Sequence, residues 1–367
     1  MQKEGQVRIP SGCAISGIIN KKGKRFSGAD IIKSIALMHE RSNGLGGGFA
    51  AYGIYPKYKE HFALHIFFDC REARAKAEEY INIYFDVETA GIIPTDKTSN
   101  IKKSPCIWRY FAVPSHIKLE EARMAEPELT HEEYVTRHVI HMNSEAFPGA
   151  YIFSSGKNMG AFKAVGYPED VGEFYRLEDY KGYLWTAHGR FPTNTPGWWG
   201  GAHPFTLLDW SIVHNGEISS YDANRRYVEM FGYDCALQTD TEVITYLFDL
   251  LVRKHGLTLE AAADVIAAPM WKAIENMPEE KREYYTALRS VYSSALVNGP
   301  FSIILGFDGG LMALNDRLKL RSLIAAEKDD TLYLASEESA IRRIAPELDS
   351  LWPVEGGKPV IVRVEGE

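Results

Sequence analysis

What the chain lacks narrows the field first. Its 367 residues hold only four cysteines, Cys13, Cys70, Cys106 and Cys235, far apart and with no C-x-x-C pair. That spacing suggests neither a structural zinc site nor an iron–sulfur cluster. No run reaches the roughly eighteen consecutive apolar residues of a membrane span, and the first twelve residues, MQKEGQVRIPSG, have no apolar core of a signal peptide. An excess of positive charge is also missing: the formal charge is −8, which argues against nucleic acid and anionic membranes as partners. Internal repeats, low-complexity tracts and flexible linkers are absent as well. The glycine run Gly44–Gly48 has no G-K-[ST] ending and so makes no phosphate loop; it reads as a turn that lets backbone pass close to a site.

What is present is a globular composition, 45% hydrophobic and 25% charged, long enough for a sizeable core. The expected setting is cytoplasmic, with free thiols. Apolar periodicity predicts a strand at 13–20 and a helix over 28–41, then a hairpin formed by 49–55 and 61–68, and a helix over 71–84. Residues 86–104 read as a surface loop, and 106–113 as a strand. Further helices are expected at 130–147, 221–231, 241–255, 258–268 and 281–292. Thr239 and Glu242 have the spacing of a capping box. The last seventy or so residues read as strand-rich, with turns at Gly309-Gly310 and Asp329-Asp330.

The polar residues that stand out fit the cleavage of a carboxamide. Such a reaction needs a nucleophile, a base, donors for a developing oxyanion and groups for the substrate's ionic ends. Cys13 opens an apolar strand directly after Ser11-Gly12. Cutting the Gly12-Cys13 bond would therefore put a thiol and an α-amine on one residue, and an α-amine with a pKa near 8 can accept the thiol proton at neutral pH. The segment HGRFPTNTPGWWGGAHP carries histidine, arginine, asparagine and paired tryptophans, a heavy load for a connector. His188, His203 and His214 have no carboxylate or cysteine at ligand spacing and read as structural histidines, with no metal site.

The segments CAISGI, HGRFPTNTPG, HNGEI, QTDTEVI and LNDRLKLR stand in the order found in class II, N-terminal-nucleophile glutamine amidotransferases, and the chain resembles that family along nearly its whole length. Within it, HGRFPTNTPG and HNGEI look most like the glutaminase subunit of archaeal-type glutamate synthases. The resemblance implies an α+β fold, a four-layer αββα sandwich of two antiparallel sheets between helices. It divides the chain into a leader, 1–12, and an amidotransferase domain, 13–367. It implies Cys13 as nucleophile, Asn215 and Gly216 as the oxyanion hole, Arg190 for the α-carboxylate of L-glutamine and Asp240 for its α-ammonium. The chain would need no cofactor of its own. Ammonia would pass to a synthase partner, one carrying FMN and iron–sulfur clusters if that partner is glutamate synthase. The family's Cys-Gly start is Cys13-Ala14 here, and Lys319 and Ser322 break the pattern of the LNDRLKLRSL segment, which is assigned no binding role. The competing readings are another N-terminal-cysteine amide hydrolase, which would not need both Arg190 and Asp240, and a non-catalytic scaffold that never exposes Cys13.

Overall fold

The structure, a computed structural model, describes residues 12–97, 99–191 and 197–366. Two sequence expectations, the leader before Gly12 and the 192–196 part of HGRFPTNTPG, lie outside them. Its centre is a pair of stacked antiparallel sheets. Seven strands form one, in the order Ser350–Pro353, Ile324–Lys328, Thr331–Ala335, Ala14–Asn20, Leu184–Gly189, Gly47–Tyr52, Met159–Ala164. Five form the other: Phe205–Leu207, Trp210–Gly216, Phe301–Phe307, Gly310–Asn315, Val360–Arg363.

The Ala14–Asn20 strand shows why the layers stack. It is buried on both faces, as its apolar run requires. Ile15 and Ile19 point at the five-stranded sheet, into a core with Val213, Ile304, Leu311 and Ala313. Ala14 and Ile18 point the other way, into a core with Ile31 and Ile35 of helix Ala29–Ala36, where Ser16 and Ser34 share a hydroxyl hydrogen bond of 2.7 Å. Gly17 sits between them at a close approach: a Cβ there would stand 3.3 Å from Ile304 Cγ2. On the outer face of the five-stranded sheet, helices Asp240–Phe248 and Leu259–Ile266 bury Val243, Leu247, Ala262 and Ile266 against Ile212, Ile303 and Leu305. The result is the four-layer αββα sandwich in the α+β class.

A third sheet departs from the sequence reading. Phe85–Ile92, Cys106–Pro114, Phe62–Phe68 and Ala150–Ser154 form a four-stranded antiparallel sheet. The expected hairpin of 49–55 with 61–68 is therefore not made; the two strands belong to different sheets. The stretch read as loop begins with a strand instead. Phe85–Ile92 is an edge strand whose side chains alternate between covered and exposed, and its Asp86, Glu88 and Thr89 hid that period behind a polar composition.

Expected helices are present with shorter ends at His131–Met142, Tyr221–Glu229 and Leu259–Ile266, while the one expected at 281–292 starts earlier, as Glu279–Val291. Helix Asp240–Phe248 runs on through Asp249–Lys254 as a π-helical turn. Thr239 caps it by accepting the Glu242 N–H, but the Glu242 carboxylate reaches Leu237 N at 3.0 Å, so only half of the capping box forms.

The inter-sheet packing generates a prediction. Ile304→Ala leaves a cavity over Gly17 and should lower unfolding free energy by about 2–5 kcal/mol. Chemical denaturation measures it, and a loss under about 1 kcal/mol would mean that the two sheets close over the gap.

Candidate active site

Antiparallel pairing of Ala14–Asn20 with Leu184–Gly189 sets Ala14 opposite Gly189, which brings Cys13 beside the end of the GRF segment. The backbone N–H of Phe191 points at Cys13 Sγ, 3.4 Å away. Arg41 forks onto the Cys13 carbonyl, with Nε at 3.3 Å and Nη2 at 3.2 Å, while its Nη1 holds Glu337 at 3.0 Å. Cys13 as a residue is only partly covered, but its sulfur is packed in. Burial raises its thiol pKa; the Phe191 N–H works against that rise, Asp240 adds to it, and Arg190 and Arg321 oppose it.

Arg190 is 5% exposed. Its backbone N–H donates to Gly46 O at 2.9 Å and its carbonyl accepts from Ser42 Oγ at 3.0 Å. A Cβ on Gly46, whose φ is +156°, would stand 3.1 Å from Arg190 Cδ, so glycine lets the backbone hug the guanidinium's stem. The Gly-rich run borders the site, but only its first part, 44–46, is loop, bent at 44–45; Gly47 and Gly48, expected in the turn, already belong to the Gly47–Tyr52 strand.

Asp240 begins its helix, where the helix dipole favours a carboxylate. Its Oδ2 accepts the N–H of Ile218 at 3.3 Å, its Oδ1 accepts from the Thr241 hydroxyl at 3.2 Å, and His214 Nδ1 lies 3.6 Å from Oδ1. Burial alone would raise this carboxyl; His214, the Ile218 N–H and the Thr241 hydroxyl outweigh it and hold Asp240 below the usual carboxylate range. Arg190 and Asp240 therefore supply two opposite fixed charges near one thiol.

Asn215 and Gly216 end the Trp210–Gly216 strand. Asn215 is 1% exposed, yet its Nδ2 has no partner among the described residues. A buried amide donor left unmatched costs about 1–3 kcal/mol, so an acceptor placed opposite it would be favoured. Gly216 has φ +152°, and a Cβ on it would lie 2.0 Å from Pro300 O. Only glycine fits.

The three histidines form a buried link between the sheets and the helix of Asp240. His188 Nε2–H donates to His214 O at 2.9 Å. His188 and His203 rings lie 4.0 Å apart. His203 Nε2 and His214 Nδ1 both meet Thr241 Oγ1, at 2.7 and 3.0 Å. Burial pulls His188 down to about 3 and His203 well below its usual value, so both are neutral rings. No group of three or more His, Cys, Asp or Glu side chains able to hold a metal ion occurs among the described residues.

All five residues singled out from the sequence lie in this region. Sequence reasoning missed Arg41, for which no motif gives a signal, and Arg321, whose positive charge acts on Cys13 although its segment was assigned no role. Alongside opens a cleft of about 1490 Å³ whose wall includes Tyr151, Trp198, Trp199, Leu237 and Gln238.

The sequence profile of the class-II glutamine amidotransferases matches residues 93–363, and the chain belongs to that family. A protein of Archaeoglobus fulgidus described only as uncharacterized is 49% identical over 96% of this chain and 92% of its own length. A putative glutamine amidotransferase of Methanothermobacter thermautotrophicus is 26% identical over 94% of this chain and 98% of its own. The glutamate synthase [NADPH] large chain of Bacillus subtilis is 28% identical over 59% of this chain, which covers 15% of that protein.

The raised thiol predicts slow chemistry while Gly12 remains attached, because the Cys13 nitrogen is then an amide and no base. In the unprocessed chain, alkylation at neutral pH should modify exposed Cys70 well before Cys13. The Cys13 rate should climb about tenfold per pH unit as thiolate forms. Peptide mapping after iodoacetamide pulses reads both; a Cys13 that outpaces Cys70 at neutral pH contradicts the desolvated thiol.

Proposed function

We propose that the chain hydrolyses L-glutamine to L-glutamate and ammonia on Cys13 and hands the ammonia to a synthase partner. The observation that carries this reading is the placement of opposite charges: strand pairing sets buried Arg190 beside Cys13, and His188 and His214 tie the same strand to Asp240, which is held as a carboxylate. A substrate with an α-carboxylate and an α-ammonium uses both, whereas another acyl amide uses at most one.

In this reading, removal of residues 1–12 frees the Cys13 α-amine, which takes the thiol proton. Sγ attacks the γ-carboxamide carbon and the carbonyl π-electrons move to oxygen. The oxyanion is met by Asn215 Nδ2 and the Gly216 N–H. Collapse of this intermediate breaks the C–N bond, and the α-ammonium returns its proton to the departing nitrogen as ammonia. Water, deprotonated by the same amine, cleaves the γ-glutamyl thioester and restores the thiol. Arg190 pairs with the α-carboxylate as a planar fork, and Asp240 holds the α-ammonium. No step calls on a cofactor in this chain.

For the acceptor, the HGRFPTNTPG and HNGEI segments and the glutamate synthase relative support a glutamate synthase partner with FMN and iron–sulfur clusters. Relatives named amidophosphoribosyltransferase and glutamine–fructose-6-phosphate aminotransferase match parts of the chain too, so the test must read the partner itself. Affinity-tagged chain should bring down a flavin-absorbing protein that makes glutamate from 2-oxoglutarate only when glutamine is supplied. Recovery of a partner without flavin removes the glutamate synthase assignment and leaves the glutaminase reading standing.

Intact mass should show the purified active chain beginning at Cys13; a stable full-length chain with undiminished activity excludes the amine as base. Asn215→Ala should cut kcat by about 10²–10³, the cost of one lost oxyanion donor. Arg190→Ala should act mainly through KM for glutamine. Ammonia release measures both, and wild-type turnover in either variant takes that residue out of the site.

A further inference from the structure

Lys163, on strand Met159–Ala164, is 1% exposed. It forms no ion pair among the described residues. Its ammonium donates to the Gly200 carbonyl at 2.8 Å and lies over the rings of Phe205 and Tyr151, 4.8 and 5.4 Å from their centroids. A buried cation kept for one carbonyl is costly where a methionine would fill the same space. The carbonyl it holds belongs to the loop that covers Arg190. A Cβ on Gly201 would stand 3.5 Å from Arg190 Nη1 and 2.6 Å from Trp198 Nε1, and one on Gly200 would lie 2.1 Å from the Trp198 ring. The Gly200-Gly201 backbone is thus packed closely against both the Trp198 ring and the Arg190 guanidinium, and Lys163 holds its Gly200 carbonyl.

Glu242 mirrors it on the other side. It is 3% exposed, two residues after Asp240, and accepts from Leu237 N at 3.0 Å and from the Tyr246 hydroxyl at 3.3 Å. It therefore ties down the turn through Gln238, whose φ of +53° is strained for a side chain with a Cβ, and that turn leads straight into Asp240. The charges of Lys163 and Glu242 act on each other. Both loops they hold, Trp198-Trp199 and Cys235–Gln238, wall the cleft beside the site.

We propose that Lys163 and Glu242 are positioning residues, a buried clamp that sets the spacing of Arg190 and Asp240 for a substrate carrying both an α-carboxylate and an α-ammonium. The inference rests on the glutaminase reading and extends it to residues that never touch the substrate. Burial pulls Lys163 down to about 7, with Glu242 pulling up and Arg190 pulling down; His203 also feels its charge. Burial pushes Glu242 up to about 8, opposed by the Leu237 N–H, the Tyr246 hydroxyl and Lys163 and aided by Asp234; Tyr151 and Cys235 feel its charge in turn. The charge-assisted bond to Gly200 is full below the lysine's pKa and weakens as pH rises through it.

The processed chain, Lys163→Met and Lys163→Arg are compared by steady-state glutaminase kinetics from about pH 6 to pH 9, with amide hydrogen exchange followed across residues 197–202. Lys163→Met should raise KM for glutamine at least about tenfold at the acid end and leave kcat within about threefold. It should also flatten the pH dependence of KM and speed loop exchange, while Lys163→Arg restores most of the KM. Wild-type KM and loop exchange in Lys163→Met overturn the clamp, and so does a fall in melting temperature with no change in KM. Should Lys163→Met fail to fold, Glu242→Gln, which keeps an acceptor for Leu237, is expected to shift the KM profile along pH, and an unshifted profile overturns the proposal. A processed wild-type chain that releases no ammonia sinks the glutaminase reading instead; loop exchange then decides the clamp alone, faster exchange in Lys163→Met upholding it and unchanged exchange removing it.

Discussion

The site depends on one strand pairing. Because Ala14–Asn20 runs antiparallel to Leu184–Gly189 with Ala14 opposite Gly189, the first residue before one strand and the first residues after the other are neighbours, and Cys13 meets Arg190 and Phe191. A slip by one residue would turn Ile15 and Ile19 out of the inter-sheet core and Ser16 and Ile18 into it. The register is therefore enforced by apolar burial on both faces, and the position of Cys13 is a by-product of core packing. Gly17 adds to this constraint, since its missing side chain is what lets Ile304 and Leu311 close over the strand.

The second sheet reaches the same point by a different route. His188 joins the sheets by donating to the carbonyl of His214, the residue before Asn215, while the His214 ring turns to Thr241 and Asp240. Asn215, which follows His214, and the Asp240 carboxylate are thereby linked through buried groups to the strand that pairs beside Cys13. Burial does two opposed things here. It raises the Cys13 thiol, and it strengthens the action of the Arg190, Arg321 and Asp240 charges on it. In the mechanism proposed above, a chain whose Cys13 nitrogen is still acylated lacks the base.

Much of the candidate site was legible in the sequence because its residues sit in short segments where side chain and backbone demand coincide. Asn215-Gly216 needs an amide next to a residue with positive φ, and Asp240 follows a Thr239 cap that can be recognised from spacing alone. Arg41, Lys163 and Arg321 were not legible. Each acts from a segment distant in sequence, and a lone lysine inside an apolar strand looks like any strand residue until its burial is known. Glu242 was seen as a capping partner, but its carboxylate is drawn to the Leu237 amide instead. The fold was readable in outline, although the helices expected at 28–41 and 130–147 end earlier, at Ala36 and Met142, and His116–Arg123 and Pro168–Phe174 were not anticipated. The four-stranded sheet escaped because its edge strand Phe85–Ile92 mixes Asp86, Glu88 and Thr89 with few large apolar residues, and because 47–52 and 62–68, near each other in the chain, part into different sheets.

The account stands or falls on which atom of the mature protein reacts with glutamine. Incubating the processed chain with a glutamine-mimicking electrophile and mapping the adduct by mass spectrometry answers this directly. A single adduct on Cys13, suppressed by excess glutamine but not by glutaramate, which lacks the α-ammonium, is the expected result. An adduct on another side chain, or a Cys13 adduct that glutaramate blocks as well as glutamine does, would contradict it.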